Sequence, residues 1–196
     1  MAEAGATRVH AFDLSEETIA EARAAHPLPN VSFETGDATV LPLAEDCADL
    51  YVSLETIEHL PDVERFLDEV ARVLHPDGTF VCSTPDRDVY SPGHDLDSRP
   101  WNRFHVREFS QPEFAALLGS RFREVALFGQ NAKHPRVTAL KGRIGSLLPA
   151  DLMIRVNQAA KLPRLAYDKV EHHLVVPVAG GRRYEILVAV CTGPAR

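Results

Sequence analysis

Hydrophobic and polar positions along the chain switch repeatedly between two periods. Short apolar runs of strand length alternate with stretches that have helical spacing, and this alternation predicts an α/β fold with a mostly parallel sheet covered on both faces. The predicted strands cover residues 8–13, 31–37, 48–54, 79–83, 122–128 and 183–191. The strongest predicted helix opens at Pro61-Asp62, and its apolar face comprises Val63, Phe66, Leu67, Val70, Val73 and Leu74. One domain spanning residues 1–196 is predicted.

Capping residues and loop lengths divide the chain further. Ser15 is predicted to cap a helix that runs to about His26, because Glu16 and Glu17 follow it in the first turn. Ser110 and Glu113, in S-Q-P-E, predict a capping box at the start of a later helix. Residues 86–109 form a long polar loop of the kind that often carries function. Residues 131–180 are predicted to form a helical insert or lid before the last strand.

Composition and charge narrow the function classes. The net charge is −7 and no basic stripe occurs, so nothing points to nucleic-acid binding through phosphates. Cys82 and Cys191 lie in apolar runs, which favours buried thiols in a reducing compartment. No stretch is apolar and long enough to span a membrane, and the N-terminus has no signal-peptide pattern. We expect a cytoplasmic protein with a small-molecule partner and no membrane contact.

Two aspartates stand at the carboxyl ends of predicted strands, where open α/β sheets bind ligands. Asp13 could accept hydrogen bonds from both ribose hydroxyls of a nucleotide cofactor, but it could equally cap the helix that Ser15 begins. Asp37, in G-D-A, could accept from an adenine amino group, with Ala38 leaving room for the ring. Asp37 could also be only a turn residue after Gly36.

A second set of candidates is Glu55-x-x-Glu58-His59, whose members share a face if the segment is helical. Two carboxylates and an imidazole suit a divalent ion, and His105, in F-H-V-R-E-F, could supply a fourth ligand. This donor set does not distinguish Mg²⁺ from Zn²⁺ or Mn²⁺. Solvated acids near a helix start, with a lone polar histidine above the sheet, are the alternative. Without a metal, His59 is the candidate general base, because the unperturbed imidazole of histidine can exchange a proton near neutral pH.

Four segments together resemble the second to fifth strands of class I S-adenosylmethionine-dependent methyltransferases. They are V-H-A-F-D-L-S, F-E-T-G-D-A-T-V-L-P-L, C-A-D-L-Y-V-S-L-E-T-I-E-H-L and V-L-H-P-D-G-T-F-V-C-S-T-P, in this order and at matching spacing. The resemblance implies a Rossmann-like sheet whose last strand is antiparallel, and S-adenosyl-L-methionine as cofactor. It also implies cofactor contacts: Asp13 with the ribose, Leu14, Asp37 and Ala38 around the adenine, and Ser53 and Leu54 under the methionine end.

The E-x-x-E-H pattern followed by a later histidine is similar to that of metal-dependent O-methyltransferases, including those of small RNAs and of ubiquinone synthesis. In those enzymes the metal binds acceptor hydroxyls beside the methyl donor. The resemblance therefore implies metal ligation by Glu55, Glu58, His59 and His105, and O-methylation of a small metabolite or sugar-like acceptor.

The sequence departs from the family at its start. The family begins with a strand that ends in an acid, a G-x-G-x-G loop and a helix, whereas this sequence contains no G-x-G. The first strand and first helix are thus expected to be missing. The strands at 8–13 and 48–54 should then present unpaired edges. We interpret this as a truncated chain or a misplaced start codon.

Two other interpretations remain open. A catalytically inactive methyltransferase-like remnant could act as a binding module that holds a partner protein along an exposed sheet edge. Another nucleotide-binding fold, such as a dehydrogenase, is also conceivable, but the G-D-A element and the E-x-x-E-H segment argue against it. The oligomeric state is not indicated by the sequence.

Overall fold

The computed structural model of the protein describes residues 1–133, 143, 175–179 and 182–195. Most of the insert or lid predicted at 131–180 lies outside these residues. In chain order the described elements are a 3₁₀ turn (Ala2–Ala4), β1 (Val9–Asp13), α1 (Glu16–Ala25), β2 (Val31–Thr35), β3 (Ala48–Leu54), a second 3₁₀ turn (Ile57–His59), α2 (Val63–Val73), β4 (Leu74–Pro85), α3 (Arg87–Tyr90), α4 (Gln111–Gly119), β5 (Phe122–Lys133), β6 (Val176–Pro177) and β7 (Arg183–Pro194).

The strands form two separate sheets. β1 and β2 pair in parallel, in register from Val9 opposite Val31 to Asp13 opposite Thr35. The second sheet has the order β3-β4-β7-β5-β6, in which β3 and β4 are parallel. β7 lies between β4 and β5 and is antiparallel to both, so the prediction of an α/β fold with an antiparallel last strand is confirmed.

β1 and β3 each have a neighbour on one side only within the described part of the chain. β1 pairs with β2, β3 pairs with β4, and no described strand bridges the two sheets. A cavity of about 910 Å³ lies between them and is lined by residues of both strands. The free edges therefore fall on the two strands for which the sequence predicted them.

The hydrophobic core lies between the five-stranded sheet and its helices. Phe66, on α2, has no exposed surface and meets Phe80 edge-on, with ring centroids 6.2 Å apart. Phe80 in turn stacks on Phe122 at 5.4 Å. In contrast, Ile19 is the only residue buried within β1, α1 and β2. The larger sheet thus holds most of the apolar packing, and the β1–α1–β2 unit is attached with little core of its own.

Several predicted boundaries differ from the observed ones. β4 begins at Leu74 rather than at residue 79, because Leu74 leaves the helical path and pairs with Ala48. β5 and β7 extend beyond their predicted ends to Lys133 and Pro194. The predicted loop at 86–109 contains the short helix α3. Among the residues described, no helix has the length and apolar character needed to cross a bilayer.

Candidate functional site

The cavity between β1 and β3 brings the predicted cofactor residues together. The carboxyl ends of β1 and β3 and the turn after β2 contribute to its wall. The lining includes all six residues predicted to contact the cofactor: Asp13, Leu14, Asp37, Ala38, Ser53 and Leu54. Its volume is about 910 Å³, and all residues of 8–13 and 48–54 line it, so it includes the gap between the facing edges of β1 and β3. A group of residues chosen from separate sequence motifs thus faces one space.

Asp13, at the end of β1, has the local role that its helix-capping interpretation predicts. Its Oδ1 accepts a hydrogen bond of 2.8 Å from the backbone N–H of Ser15. Ser15 in turn caps α1, because its hydroxyl oxygen accepts from the backbone N–H of Thr18 at 3.1 Å. The carboxylate is nevertheless exposed to the cavity, so capping does not prevent it from accepting hydrogen bonds from a ligand.

Asp37 is likewise held by its own turn. Its Oδ1 accepts from the backbone N–H of Thr39 at 2.8 Å and from the Thr39 hydroxyl at 2.9 Å. These hydrogen bonds lower the pKa of Asp37 below its ordinary value, which keeps the carboxylate charged at neutral pH. An ionised carboxylate only accepts hydrogen bonds, so its partner in the cavity would be a donor such as an amino group.

The end of β3 leads directly from the cavity to the second set of candidates. Ser53 is buried, whereas Leu54 is 57% exposed. Glu55 then has a φ of 52°, and its carboxylate accepts a hydrogen bond of 2.7 Å from the hydroxyl of Ser83 on β4. Burial raises the pKa of Glu55. The turn at Glu55 redirects the chain, so that the following 3₁₀ turn begins only at Ile57.

Glu58, His59 and His105 converge as the sequence predicted, and Glu55 lies outside this group. One potential ligand atom from each of the three residues lies within 4.8 Å of the others. Glu58 is almost fully buried, and burial raises the pKa of its carboxyl group. Its Oε2 accepts from the Thr84 hydroxyl at 3.1 Å, while Oε1 lies 3.9 Å from Nε2 of His59. We call these three residues the Glu-His cluster.

The loop after α3 fixes both histidines of the Glu-His cluster. Nδ1 of His59 lies 2.9 Å from the backbone oxygen of Phe104. Because a carbonyl oxygen can only accept, the neutral His59 ring carries its proton on Nδ1 and has a lone pair on Nε2. The backbone N–H groups of Val106 and Arg107 donate to the carbonyl of Glu58, which joins the loop to the 3₁₀ turn.

His105 is held on both ring nitrogens. Its Nδ1 lies 2.6 Å from Oε1 of Glu108, and its Nε2 lies 2.7 Å from the side-chain nitrogen of Asn102. The Asn102 oxygen accepts from the backbone N–H of Phe104 at 3.2 Å, which turns the Asn102 amide nitrogen towards His105. The His59 and His105 rings meet edge-on, with centroids 5.0 Å apart.

Sequence reasoning missed several side chains that contact the candidate residues. Ser83 and Thr84 bond Glu55 and Glu58, and Asn102 and Glu108 bond His105. The position of Ser83 and Thr84 near the carboxyl end of β4 was a usable signal, because ligand sites lie at that edge of a parallel sheet. Asn102 and Glu108 lie in an irregular loop, whose path no periodicity reveals.

Buried contacts anchor the loop itself. Trp101 is 4% exposed, and its indole N–H donates to Nε2 of His94 at 3.0 Å. Arg87 binds both carboxylate oxygens of Glu113, at 2.7 and 2.8 Å, which ties α3 to α4. The loop that carries His105 is therefore packed against the rest of the fold.

The chain is similar in sequence to several known proteins. Residues 1–82 match a family described as a methyltransferase domain. A probable S-adenosylmethionine-dependent methyltransferase of Mycobacterium tuberculosis is 37% identical over 165 residues, or 83% of this chain and 58% of that protein. A similarly described protein of Mycolicibacterium smegmatis is 42% identical over 113 residues, or 58% of this chain and 42% of that protein. The matched part thus spans roughly half the length of these relatives.

A solved structure shows the same fold. An S-adenosylmethionine-dependent methyltransferase of Thermotoga maritima superposes with a TM-score of 0.63 at 20% identity, covering 95% of this chain and 72% of that one. The fold is thus that of an α/β protein with the architecture of this solved methyltransferase. Residues 1–82 match a methyltransferase domain family, and the chain is similar to S-adenosylmethionine-dependent methyltransferases in sequence and in fold.

Proposed function

We propose that this protein transfers a methyl group from S-adenosylmethionine to a hydroxyl oxygen of a small metabolite or sugar-like acceptor. The observation that carries the proposal is the shared cavity lined by all six candidate cofactor residues. Thr56 and Leu60 line the same cavity and bracket Glu58 and His59 in the sequence. A ligand in the cavity would therefore lie next to the Glu-His cluster.

The two aspartates divide the recognition of the cofactor between them. Asp13 accepts hydrogen bonds from the ribose hydroxyls, using the exposed carboxylate at the end of β1. Asp37 accepts from the adenine amino group beside Ala38. Each aspartate uses only Oδ1 in its own turn, so Oδ2 can accept from the cofactor. Leu54 provides an apolar contact for the methionine end.

The reaction requires one proton to leave the acceptor. S-adenosylmethionine supplies a methyl group on a sulfonium, so a C–O bond forms to the acceptor as the C–S bond breaks and the hydroxyl loses its proton. His59 presents a lone pair on Nε2, because its Nδ1 proton is bound to the Phe104 carbonyl. In the absence of a metal, His59 accepts this proton as the general base.

A divalent cation at the Glu-His cluster is the second part of the proposal. The donor set fits such an ion, because the cluster combines a buried carboxylate with the imidazoles of His59 and His105 within 4.8 Å. A divalent ion held there by Glu58, His59 and His105 would supply Lewis-acid chemistry, which lowers the pKa of a bound hydroxyl. His105 would ligate through Nε2 after displacing the Asn102 amide nitrogen. Glu55, whose Oε1 accepts from Ser83, would have to move towards the cluster to ligate.

Calorimetry with S-adenosylmethionine tests the cavity. Asp13→Asn keeps an oxygen for the Ser15 N–H but removes the charge, so we expect roughly tenfold or greater loss of affinity, as for a hydrogen bond to a charged group. Asp62→Asn is the control, because the Asp62 carboxylate also accepts from a backbone N–H at the start of a helix, that of Arg65 at 3.0 Å, and does not line the cavity. Equal affinities in all three proteins would contradict the assignment of Asp13.

Chelation tests the metal. Transfer of a labelled methyl group to a panel of dihydroxy-aromatic and sugar acceptors is measured with and without EDTA. We expect EDTA, Glu58→Ala and His105→Ala each to abolish transfer, and added Mn²⁺ or Mg²⁺ to restore it only in the EDTA-treated wild type. Full activity in EDTA would contradict the metal and leave His59 as a simple base.

A non-catalytic binding module is the second candidate function. The observation that favours it is that, among the described residues, β1 and β3 each pair with another strand on one side only. A module of this kind binds a partner segment as an added strand. The same calorimetry separates the two functions, because a module of this kind gives no heat with S-adenosylmethionine.

A further inference from the structure

Glu108 is a buried carboxylate with an unusual set of partners. It is 2% exposed, and its Oε1 lies 2.6 Å from Nδ1 of His105. Its Oε2 is buried and has no hydrogen-bond partner among the described residues. Arg87 donates to the backbone oxygen of Glu108 at 3.4 Å, but the Arg87 guanidinium binds both carboxylate oxygens of Glu113. The close polar partner of the Glu108 side chain is therefore the imidazole of His105.

We propose that Glu108 is a positioning residue that keeps the His105 proton on Nδ1, so that Nε2 presents its lone pair to the Glu-His cluster. This inference rests on the proposed metal-assisted function. A carboxylate that accepts from Nδ1–H orients the ring and makes the opposite nitrogen a stronger metal ligand. Glu108 would thus tune the metal site without touching the metal or the acceptor.

Two contacts support this assignment of the His105 proton. At Nδ1, an ionised carboxylate can only accept, so the proton must lie on the nitrogen. At Nε2, the Asn102 nitrogen is a donor, because the Asn102 oxygen already accepts from the Phe104 N–H. A donor directed at Nε2 requires a lone pair there. Both neighbours therefore select the same tautomer.

The burial of Glu108 explains why one contact can control the ring. A carboxylate removed from water and left without a partner is strongly unfavourable. The hydrogen bond from the His105 Nδ1–H to Glu108 offsets part of this cost. Rotation of the imidazole would break this hydrogen bond. The ring plane and the tautomer of His105 are thus fixed by the same hydrogen bond.

The first measurement uses the wild-type protein without metal. Long-range ¹H–¹⁵N NMR reports the tautomer of each histidine, and the His105 signals are identified by their loss in His105→Ala. We expect a protonated Nδ1 and an unprotonated Nε2 at neutral pH. A His105 ring protonated on Nε2 would overturn the proposal without any change to Glu108.

The second measurement is Mn²⁺ binding by calorimetry to wild type and Glu108→Gln. Loss of a histidine-orienting partner typically weakens metal affinity 10–100-fold, so we expect about that loss and a shift of His105 towards the other tautomer. Glu69→Gln is the matched control, because Glu69 is a buried carboxylate bound to the Leu41 N–H and to Arg72, away from the cluster. It should lower the melting temperature but leave the Mn²⁺ affinity and His105 signals unchanged.

The outcomes distinguish the role of Glu108 from metal binding at the Glu-His cluster. Wild-type affinity and wild-type His105 signals in Glu108→Gln would overturn the role of Glu108. Equal weakening of Mn²⁺ binding in Glu108→Gln and Glu69→Gln would also overturn it, since the effect would then be a general loss of structure. Wild type that binds no Mn²⁺ but shows the expected tautomer would overturn the metal proposal and still support Glu108 as the residue that positions His105.

Discussion

Asp86, the residue that follows β4, has a raised pKa whose effect on stability can be measured. Its side chain has no exposed surface; Oδ1 accepts from the Asp88 N–H at 3.0 Å, and Oδ2 accepts from the Gln111 side chain at 3.4 Å. Burial raises the pKa of Asp86 from its ordinary value of 3.8 to about 6. Replacing it with asparagine removes the titration but keeps the size and an oxygen acceptor.

The direction of the effect follows from proton linkage. Because the pKa is higher in the folded state, the Asp86 carboxyl group stabilises the fold fully below pH 3.8 and loses this contribution as pH rises through about 6. A shift of about two units corresponds to ~3 kcal/mol. The asparagine has no such dependence. The free energy of unfolding of Asp86→Asn relative to wild type should therefore rise by ~2–3 kcal/mol from about pH 4 to about pH 8.

Urea unfolding followed by circular dichroism, at several pH values with EDTA present, measures this difference. Loss of the Gln111 hydrogen bond would lower the stability of Asp86→Asn equally at every pH. It therefore does not affect how the stability difference between variant and wild type changes with pH. Asp95→Asn is an informative control, because Asp95 is exposed and its hydrogen bond from Ser98 lowers its pKa. Its pH-dependent difference should have the opposite sign. If the free energies of unfolding of Asp86→Asn and wild type change in parallel between pH 4 and pH 8, the pKa of Asp86 is not raised in the folded protein.

Two further predictions concern packing and helix capping. A Cβ at Gly129 would overlap the ring of buried Tyr184, so Gly129→Ala should lower the free energy of unfolding by ~1–3 kcal/mol. Gly119→Ala is the control and should cost far less, because no atom lies within 4 Å of the added carbon. Equal urea midpoints for the two variants would contradict this prediction. Ser110→Ala removes one half of the capping box with Glu113 and should cost about 1 kcal/mol, seen as a melting temperature lower by a few degrees. An unchanged melting temperature would show that the cap does not contribute.

Much of the fold could be predicted because local patterns set it. The apolar run between charges gave β3 its bounds, and the predicted capping box is present at the start of α4. The antiparallel position of β7 came from the family resemblance, since periodicity does not encode strand direction. The early start of β4 was missed because Leu74 completes the apolar helix face in sequence but pairs with Ala48 in space.

The candidate site was predicted less completely because its geometry depends on tertiary contacts. Glu55 was grouped with Glu58 by helical spacing, but the chain turns at Glu55 and the hydroxyl of Ser83 binds its carboxylate. His105 was found from its motif, whereas its orienting partner Glu108 depends on the folded path of the loop. Residue types therefore indicated candidate residues, and long-range contacts determined which of them meet.

The position of β7 has a consequence for how the protein is made. Residues 183–194 are synthesised after both β4 and β5, yet they pair with β4 on one side and with β5 on the other. Until they leave the ribosome, both of those strands present open edges that can pair with other chains. A premature stop codon shortly before residue 183 would therefore leave β4 and β5 without the strand that joins them, and the shortened protein would be prone to aggregation.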